Sequence, residues 1–126
     1  MVEEIVIPPI HLVWSEWFPW NDLLVDARGG HGVRVPTGPG VYEARRKGKK
    51  ELLTIGKAAN LRMRVKQGLV KGKVPHSAGD KIRTKEDVDL IEIRWASTDR
   101  PAAVEEELHR RYRKALGRLP LYVDHT

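Results

Sequence analysis

The chain has 126 residues, enough for one compact domain and too few for two of ordinary size. Its 23 Lys and Arg outnumber 17 Asp and Glu, giving a formal net charge of +6 and a pI near 9.8. Cysteine is absent, which excludes disulfides, thiolate zinc sites and thiol catalysis, and no run of about eighteen apolar residues is present to span a membrane.

The first segment, residues 1–36, is rich in tryptophan and proline and reads as an arm packed on the core formed by residues 37–126. Its start, Met1-Val2-Glu3-Glu4, is acidic where a secretory leader would be basic, so the sequence predicts a cytoplasmic protein with no membrane partner. Trp14, Trp17 and Phe18 fall at helical spacing until Pro19, which ends a helix. Leu23, Leu24 and Val25 can begin a second short helix capped by Asn21 or Asp22. The loop Arg28-Gly29-Gly30-His31-Gly32 closes the arm. Two uses of the tryptophans compete: burial against the core, the usual fate of large aromatics in a small domain, and stacking on unpaired bases.

Val35-Pro36-Thr37-Gly38-Pro39-Gly40 is a turn-rich entry to a strand over 41–46. Lys47-Gly48-Lys49-Lys50 reads as a hairpin loop and 51–55 as the return strand. A loop centred on Gly48 sets Tyr42 across from Thr54. Asn60 is placed to cap a helix with Leu61, Val65 and Leu69 on its apolar stripe, and Gly72 lies just past its end. Residues 73–87 read as a loop or short helix. A third strand is expected over 88–95, with Ile91, Ile93 and Trp95 on one face and Val88 and Leu90 on the other. Ser97-Thr98-Asp99-Arg100-Pro101 opens a helix running to Leu116, with Val104, Leu108, Tyr112 and Ala115 as its buried stripe and Gly117 as its stop. Acids in its first turns and bases in its last complement the helix dipole. The fold class expected is a single α/β domain of α+β type: a small three-stranded, mainly antiparallel sheet flanked by helices.

Charge is concentrated. Residues 45–85 hold fourteen Lys and Arg against two acids, Glu51 and Asp80, while the remainder holds nine bases against fifteen acids. One strongly positive face is the footprint of a nucleic-acid partner. Arg45, Arg46, Lys47, Lys49, Lys50, Arg62, Lys66, Lys71 and Lys73 are the candidate contacts to its backbone. The competing reading is a solubilising surface.

Residues 37–112 carry motifs that resemble those of the GIY-YIG nuclease family. Gly40-Val41-Tyr42 matches the first motif, and Thr54-Ile55-Gly56 sits where the second belongs. Lys57-Ala58-Ala59-Asn60-Leu61 with Arg64 is similar to the Gly-Lys-Ala-x-Asn-Leu-x-x-Arg segment of the DNA-repair incision members. Glu105-Glu106-Glu107-Leu108 with Tyr112 is similar to the Glu-x-x-Leu helix that supplies the metal ligand. The resemblance implies a metal-dependent endonuclease that uses Mg²⁺ or Mn²⁺ and acts on DNA in preference to RNA. Tyr42 would be the general base, Lys57 and Arg64 the electrostatic stabilisers, Glu105 the metal ligand, and Gly40, Gly56 and Asn60 the structural positions. A guanidinium fork suits phosphate oxygens, and Arg62, about 200 degrees around a helix from Arg64, should not share its role. Hydrolysis of a phosphodiester also needs help for the departing 3′ oxygen.

Two departures stand out. Thr54 replaces the second tyrosine, leaving a hydroxyl that donates a hydrogen bond but is too weak an acid for base work. The family's late asparagine falls on Gly117. The alternative is therefore a non-catalytic or catalytically weak nucleic-acid-binding module on the same fold. His76 is available to replace a lost polar group, and His109, one turn after Glu105, to bond that carboxylate or the phosphate, although nothing in the sequence places either. No separate specificity segment is visible, so the chain would act on structured or flexible DNA, or borrow its targeting from a partner or from dimerisation.

Overall fold

The computed structural model describes residues 2–6, 9–25 and 32–123. Four strands form one antiparallel sheet: β1 (Phe18–Pro19), β2 (Gly40–Arg46), β3 (Leu52–Ala58) and β4 (Ile91–Ser97), in the order β1-β4-β2-β3. Among the described residues three helices accompany it: a π-helix over Met63–Val70, α1 (Ser77–Lys85) and α2 (Pro101–Leu116). The architecture is α+β, with one strand more than the three expected. The extra strand comes from the arm, where the sequence suggested helix: Phe18 pairs with Ile93 and Pro19 with Glu92. Pro19 has no amide N–H to extend a helix or a longer ladder, so the pairing stops there. A 3₁₀ turn, Trp20–Leu23, follows and buries Trp20 and Leu23. No helix among the described residues is long and apolar enough to cross a membrane.

β2 is interior and flanked on both sides, which explains the burial of every residue from Gly40 to Ala44. The sheet separates two apolar layers. On one face Tyr42, Ala44, Ile91, Ile93 and Trp95 pack with Leu61, Val65, Leu69 and Ile82. On the other, Val41, Ala96 and Val104 meet Leu12, Trp14 and Leu108. Val104 is the fully buried member of the α2 stripe; Leu108 and Tyr112 are half-buried and Ala115 is exposed.

The hairpin register differs from expectation. Tyr42 pairs with Gly56 and Ala44 with Thr54, so the return strand is β3 rather than 51–55. The cause is an irregularity after Ala44, where Arg45 pairs with Leu52. The turn itself is centred where Gly48 suggested: Gly48 adopts φ +73 and the Lys49 N–H donates to the Arg46 carbonyl. The irregularity supplies one of the two positions by which Tyr42 is displaced; the other is already present at Arg45, which meets Leu52 where the expected register gives Glu51. The even total shift keeps Tyr42 and Ala44 on their expected face. The expected third strand begins three residues late, because Val88–Leu90 forms a 3₁₀ turn capped by the Asp87 carboxylate. Leu90 is thereby turned out to solvent.

The outer edge of β3 is covered along much of its length. The Leu52 N–H donates to the Tyr112 hydroxyl, the Leu52 and Leu53 carbonyls accept from Leu121 and Tyr122, and the Ile55 carbonyl bonds His109. A covered edge does not recruit foreign strands.

Candidate active site

Asn60 ends the β3 segment as the expected cap: its Oδ1 accepts from the Met63 N–H at 3.0 Å. The chain then winds as a π-helix, closed by the five-residue bond from the Lys71 N–H to the Lys66 carbonyl at 2.9 Å. Such wide turns concentrate at functional sites. Here the wide turn directs Arg64 to one side, where its Nη1 donates to the Pro75 carbonyl at 3.1 Å. Arg62 goes elsewhere, its Nε donating to the Val35 carbonyl at 2.8 Å. The separation of the two arginines follows the sequence argument.

A cleft of about 910 Å³ opens along the C-terminal half of β3. Its floor is Thr54–Ala58 with Tyr42; one wall carries Arg64 and His76, and the other is the α2 face bearing Ala102, Glu105 and His109. Thus Tyr42, Thr54, Lys57, Arg64 and Glu105, the five predicted catalytic positions, line one cavity together with Gly56 and Asn60. Glu105 faces the cleft, Glu106 is exposed, and Glu107 is bound by Arg110 and Arg111. Among the described residues, neither the Glu105 carboxylate nor the exposed Lys57 ammonium has a hydrogen-bonding or ion-pair partner.

The motif glycines are fixed by close packing rather than by turns. A Cβ on Gly56 would fall within 3 Å of Oη, Cζ and Cε2 of Tyr42, so the phenol lies directly against this backbone. A Cβ on Gly40 would similarly meet the Ala96 carbonyl oxygen and the Leu61 side chain. Gly40 therefore lets β2 lie close to β4 beneath the residue that follows the Asn60 cap.

Tyr42 is buried, with 2% of its surface exposed. Burial pushes its phenol up to about 12, opposed chiefly by the Arg64 guanidinium and reinforced by the Glu105 carboxylate. Its Oη lies 2.8 Å from Nε2 of His76. The other ring nitrogen, Nδ1, accepts from the Gly79 N–H at 3.0 Å. That bond leaves the proton on Nε2, so His76 donates to the phenolic oxygen. Burial, then Arg64 and Arg83, push the imidazole down to about 4, keeping it neutral over the physiological range. His76 is also the N-cap of α1. The sequence offered it without a position; the signal it carries is local, a cap one residue before a helix with Gly three residues on. Two glycines make room: a Cβ on Gly68 would crowd the His76 ring, and one on Gly79 would strike the Leu69 carbonyl.

The candidate nucleic-acid contacts divide. Lys47, Lys49 and Lys50 are exposed at the hairpin tip, and Lys73 is exposed beyond the π-helix. Lys47 lies five residues along β2 from Tyr42, about 17 Å at strand rise. Lys71 is half-buried. Lys66 is buried, its Nζ donating to the Val25 carbonyl at 3.0 Å. Arg46 is held by both oxygens of Glu86. Arg45 pairs with Glu92 and lies 3.9 Å over the Trp17 ring. Arg94 stacks on the same ring at 4.6 Å and on Trp14 at 4.3 Å while bonding the buried Glu43. These tryptophans thus cover a charged cluster on the sheet face away from the cleft. The loop Arg28–His31 lies outside the described residues.

No family model, curated protein or solved structure matches this chain.

Proposed function

We propose that the protein is a metal-dependent endonuclease of GIY-YIG type that hydrolyses phosphodiester bonds in DNA. The observation that carries this reading is the cleft: Tyr42, Lys57, Arg64 and Glu105 line it together, and its ammonium and carboxylate are unpartnered among the described residues. Structural charges are normally paired where they approach one another; charges left open in a concave site suit a ligand carrying both phosphate and cation.

The donor set fits a hard divalent ion. Glu105 offers carboxylate oxygens, and no group of three His, Asp or Glu gathers around a common point among the described residues. Mg²⁺ tolerates such a site, because it retains water and accepts substrate phosphate oxygens as ligands. When bound, the ion supplies positive charge to the phosphoryl oxygens and to the attacking water.

The chain's own groups do the rest. Lys57 and Arg64 receive the phosphate, with the Arg64 fork positioned by the Pro75 carbonyl. Tyr42 takes the proton of the attacking water. Its oxygen accepts from His76 on one side and lies beside Arg64, both of which favour the phenolate against the desolvation that opposes it. His76 therefore compensates in part for the missing second tyrosine. Thr54, buried in the cleft floor opposite Ala44, contributes a hydroxyl.

Nicking of supercoiled plasmid in Mg²⁺ or Mn²⁺ tests the reading. Wild type should nick, and Glu105→Ala should lower the rate at least 100-fold while DNA binding at low salt persists. If wild type nicks in neither metal and still binds DNA, the non-catalytic binding module replaces the enzyme.

A further inference from the structure

His109 lies one helical turn beyond Glu105 on the α2 wall, and nothing in the reading above gives it a task. Its Nε2 is 3.1 Å from the Ile55 carbonyl oxygen on the outer edge of β3. A carbonyl can only accept, so Nε2 carries a proton and the ring is anchored from behind. The second nitrogen, Nδ1, has no partner among the described residues. It is not sealed in either, because no buried polar side-chain atom in the described structure lacks a partner. His109 is half-buried and lines the cleft. The ring is thus fixed at one nitrogen and open to solvent at the other.

The position relative to Tyr42 gives this meaning. Tyr42 packs with Leu61, Val65 and Leu69 of the segment that carries Arg64, on one face of the sheet; α2, which carries Glu105 and His109, packs through Val104 and Leu108 on the other face, and both sets of residues line the cleft. In an in-line displacement the attacking and departing oxygens lie on opposite sides of phosphorus. A base on one side therefore calls for a proton donor on the other.

We propose that His109 is the general acid of the reaction, delivering a proton from Nδ1 to the departing 3′ oxygen. The inference rests on the endonuclease reading. Water attacks phosphorus and gives its proton to Tyr42 as the new P–O bond forms. The bond from phosphorus to the 3′ oxygen breaks, and that oxygen takes the Nδ1 proton to leave as a hydroxyl. His109 enters this step as the imidazolium, protonated at both nitrogens, and is left neutral with its Nε2 proton still on the Ile55 carbonyl; it takes a new proton from solvent while Tyr42 returns its own, and the 5′ phosphate is the other product. Anchoring by Ile55 holds the donor in place through both steps.

The test compares two oligonucleotide substrates, one with a normal linkage and one whose bridging 3′ oxygen is replaced by sulfur. A thiolate departs without protonation, so the second substrate removes the need for an acid. Both are assayed in Mn²⁺ with wild type, His109→Gln and His109→Asn. For the normal linkage each variant should be slowed about 100-fold or more, within the usual range for general-acid catalysis. For the sulfur linkage the loss should fall below tenfold. Equal losses on both substrates overturn the proposal and make His109 a residue that only positions the wall or the metal. The ratio between substrates is internal to each variant, so partial misfolding cannot mimic it, and the second variant serves should one fail to fold. Wild type that cleaves neither substrate refutes the nuclease reading itself, an outcome distinct from equal losses.

Discussion

Replacing Gly56 by Ala tests the geometry of the cleft floor without reference to catalysis. The backbone of Gly56 is not in the left-handed region, so alanine meets no φ penalty. In a strand interior, glycine to alanine is worth roughly 0.5–1 kcal/mol of stability. Here that gain is overturned, because the new Cβ would sit within 3 Å of three Tyr42 atoms that are buried and tethered to His76. The ring must move, at about 1–3 kcal/mol for overpacking. Its departure also strands the His76 N–H, at about 1–3 kcal/mol. A net loss of about 1–5 kcal/mol follows, lowering Tm by roughly 4–20 °C at about 4 °C per kcal/mol for a domain of this size. The decisive measurement is a double-mutant cycle by urea and thermal denaturation. In a Tyr42→Leu background the three clashing atoms are gone, so Gly56→Ala should be neutral or stabilising. In Tyr42→Phe, which keeps Cζ and Cε2, most of the penalty should remain. Equal cost in all three backgrounds would show that the phenol does not lie on Gly56 and would refute the site geometry.

Lys57→Ala should lower kcat/KM for plasmid nicking 10–100-fold and reduce the salt slope of DNA binding by about one phosphate contact, measured by cleavage and by fluorescence anisotropy. His76 should make the protein acid-sensitive: its folded pKa of about 4 lies below the unfolded value near 6.5. The unfolded chain therefore binds the proton first, and stability falls as pH drops from about 6.5 to 4, by about 3 kcal/mol at most. His76→Gln should flatten that window in urea melts, and an unchanged slope would contradict the tautomer argument. Trp17→Ala should cost about 2–3 kcal/mol through lost burial and cation–π contact with Arg45 and Arg94 but leave DNA affinity within twofold; a large affinity loss would restore the base-stacking role.

That Tyr42, Thr54, Lys57, Arg64 and Glu105 share one cleft was legible because each is tied to its neighbours by short-range rules. The Asn60 cap fixes the start of the following helix, the α2 period puts Glu105 and His109 on one face, and alternation along β2 and β3 keeps Tyr42, Thr54 and Gly56 on one side for any even register shift. This last point matters: the two-residue shift left the expected residues in the cleft, because strand facing repeats every two residues. What was not legible depended on long-range contact. β1 exists only because β4 presents a free edge to Phe18, and the burial of Lys66 depends on Val25, forty-one residues earlier. Counting bases between Arg45 and Lys85 overstated the available positive surface for the same reason. Arg45 and Arg46 meet Glu92 and Glu86, which lie at and just beyond the end of that stretch.

The pairing of those cations sharpens where a nucleic acid would sit. Arg45, Arg46 and Lys66 are engaged inside the fold; exposed bases close in sequence to the motif residues are Lys57 in the cleft, Arg62, whose Nε is tied to the Val35 carbonyl, and Lys73 beyond the π-helix, while Lys47, Lys49 and Lys50 lie at the hairpin tip. A strand entering the cleft thus meets few cations before the reacting phosphate, and its other walls are built from Ala58, Ala59, Met63, Val74 and Pro101. On the endonuclease reading, a modest electrostatic grip beside an apolar recess would give weak affinity for a regular duplex, whose outer surface is phosphate. The balance favours DNA whose backbone can be drawn into the recess, such as a flexible or distorted strand. Affinity should accordingly rise when a nick or unpaired stretch is placed at the site of cleavage, and fall steeply with salt only to the extent that Lys57 and Lys73 contribute.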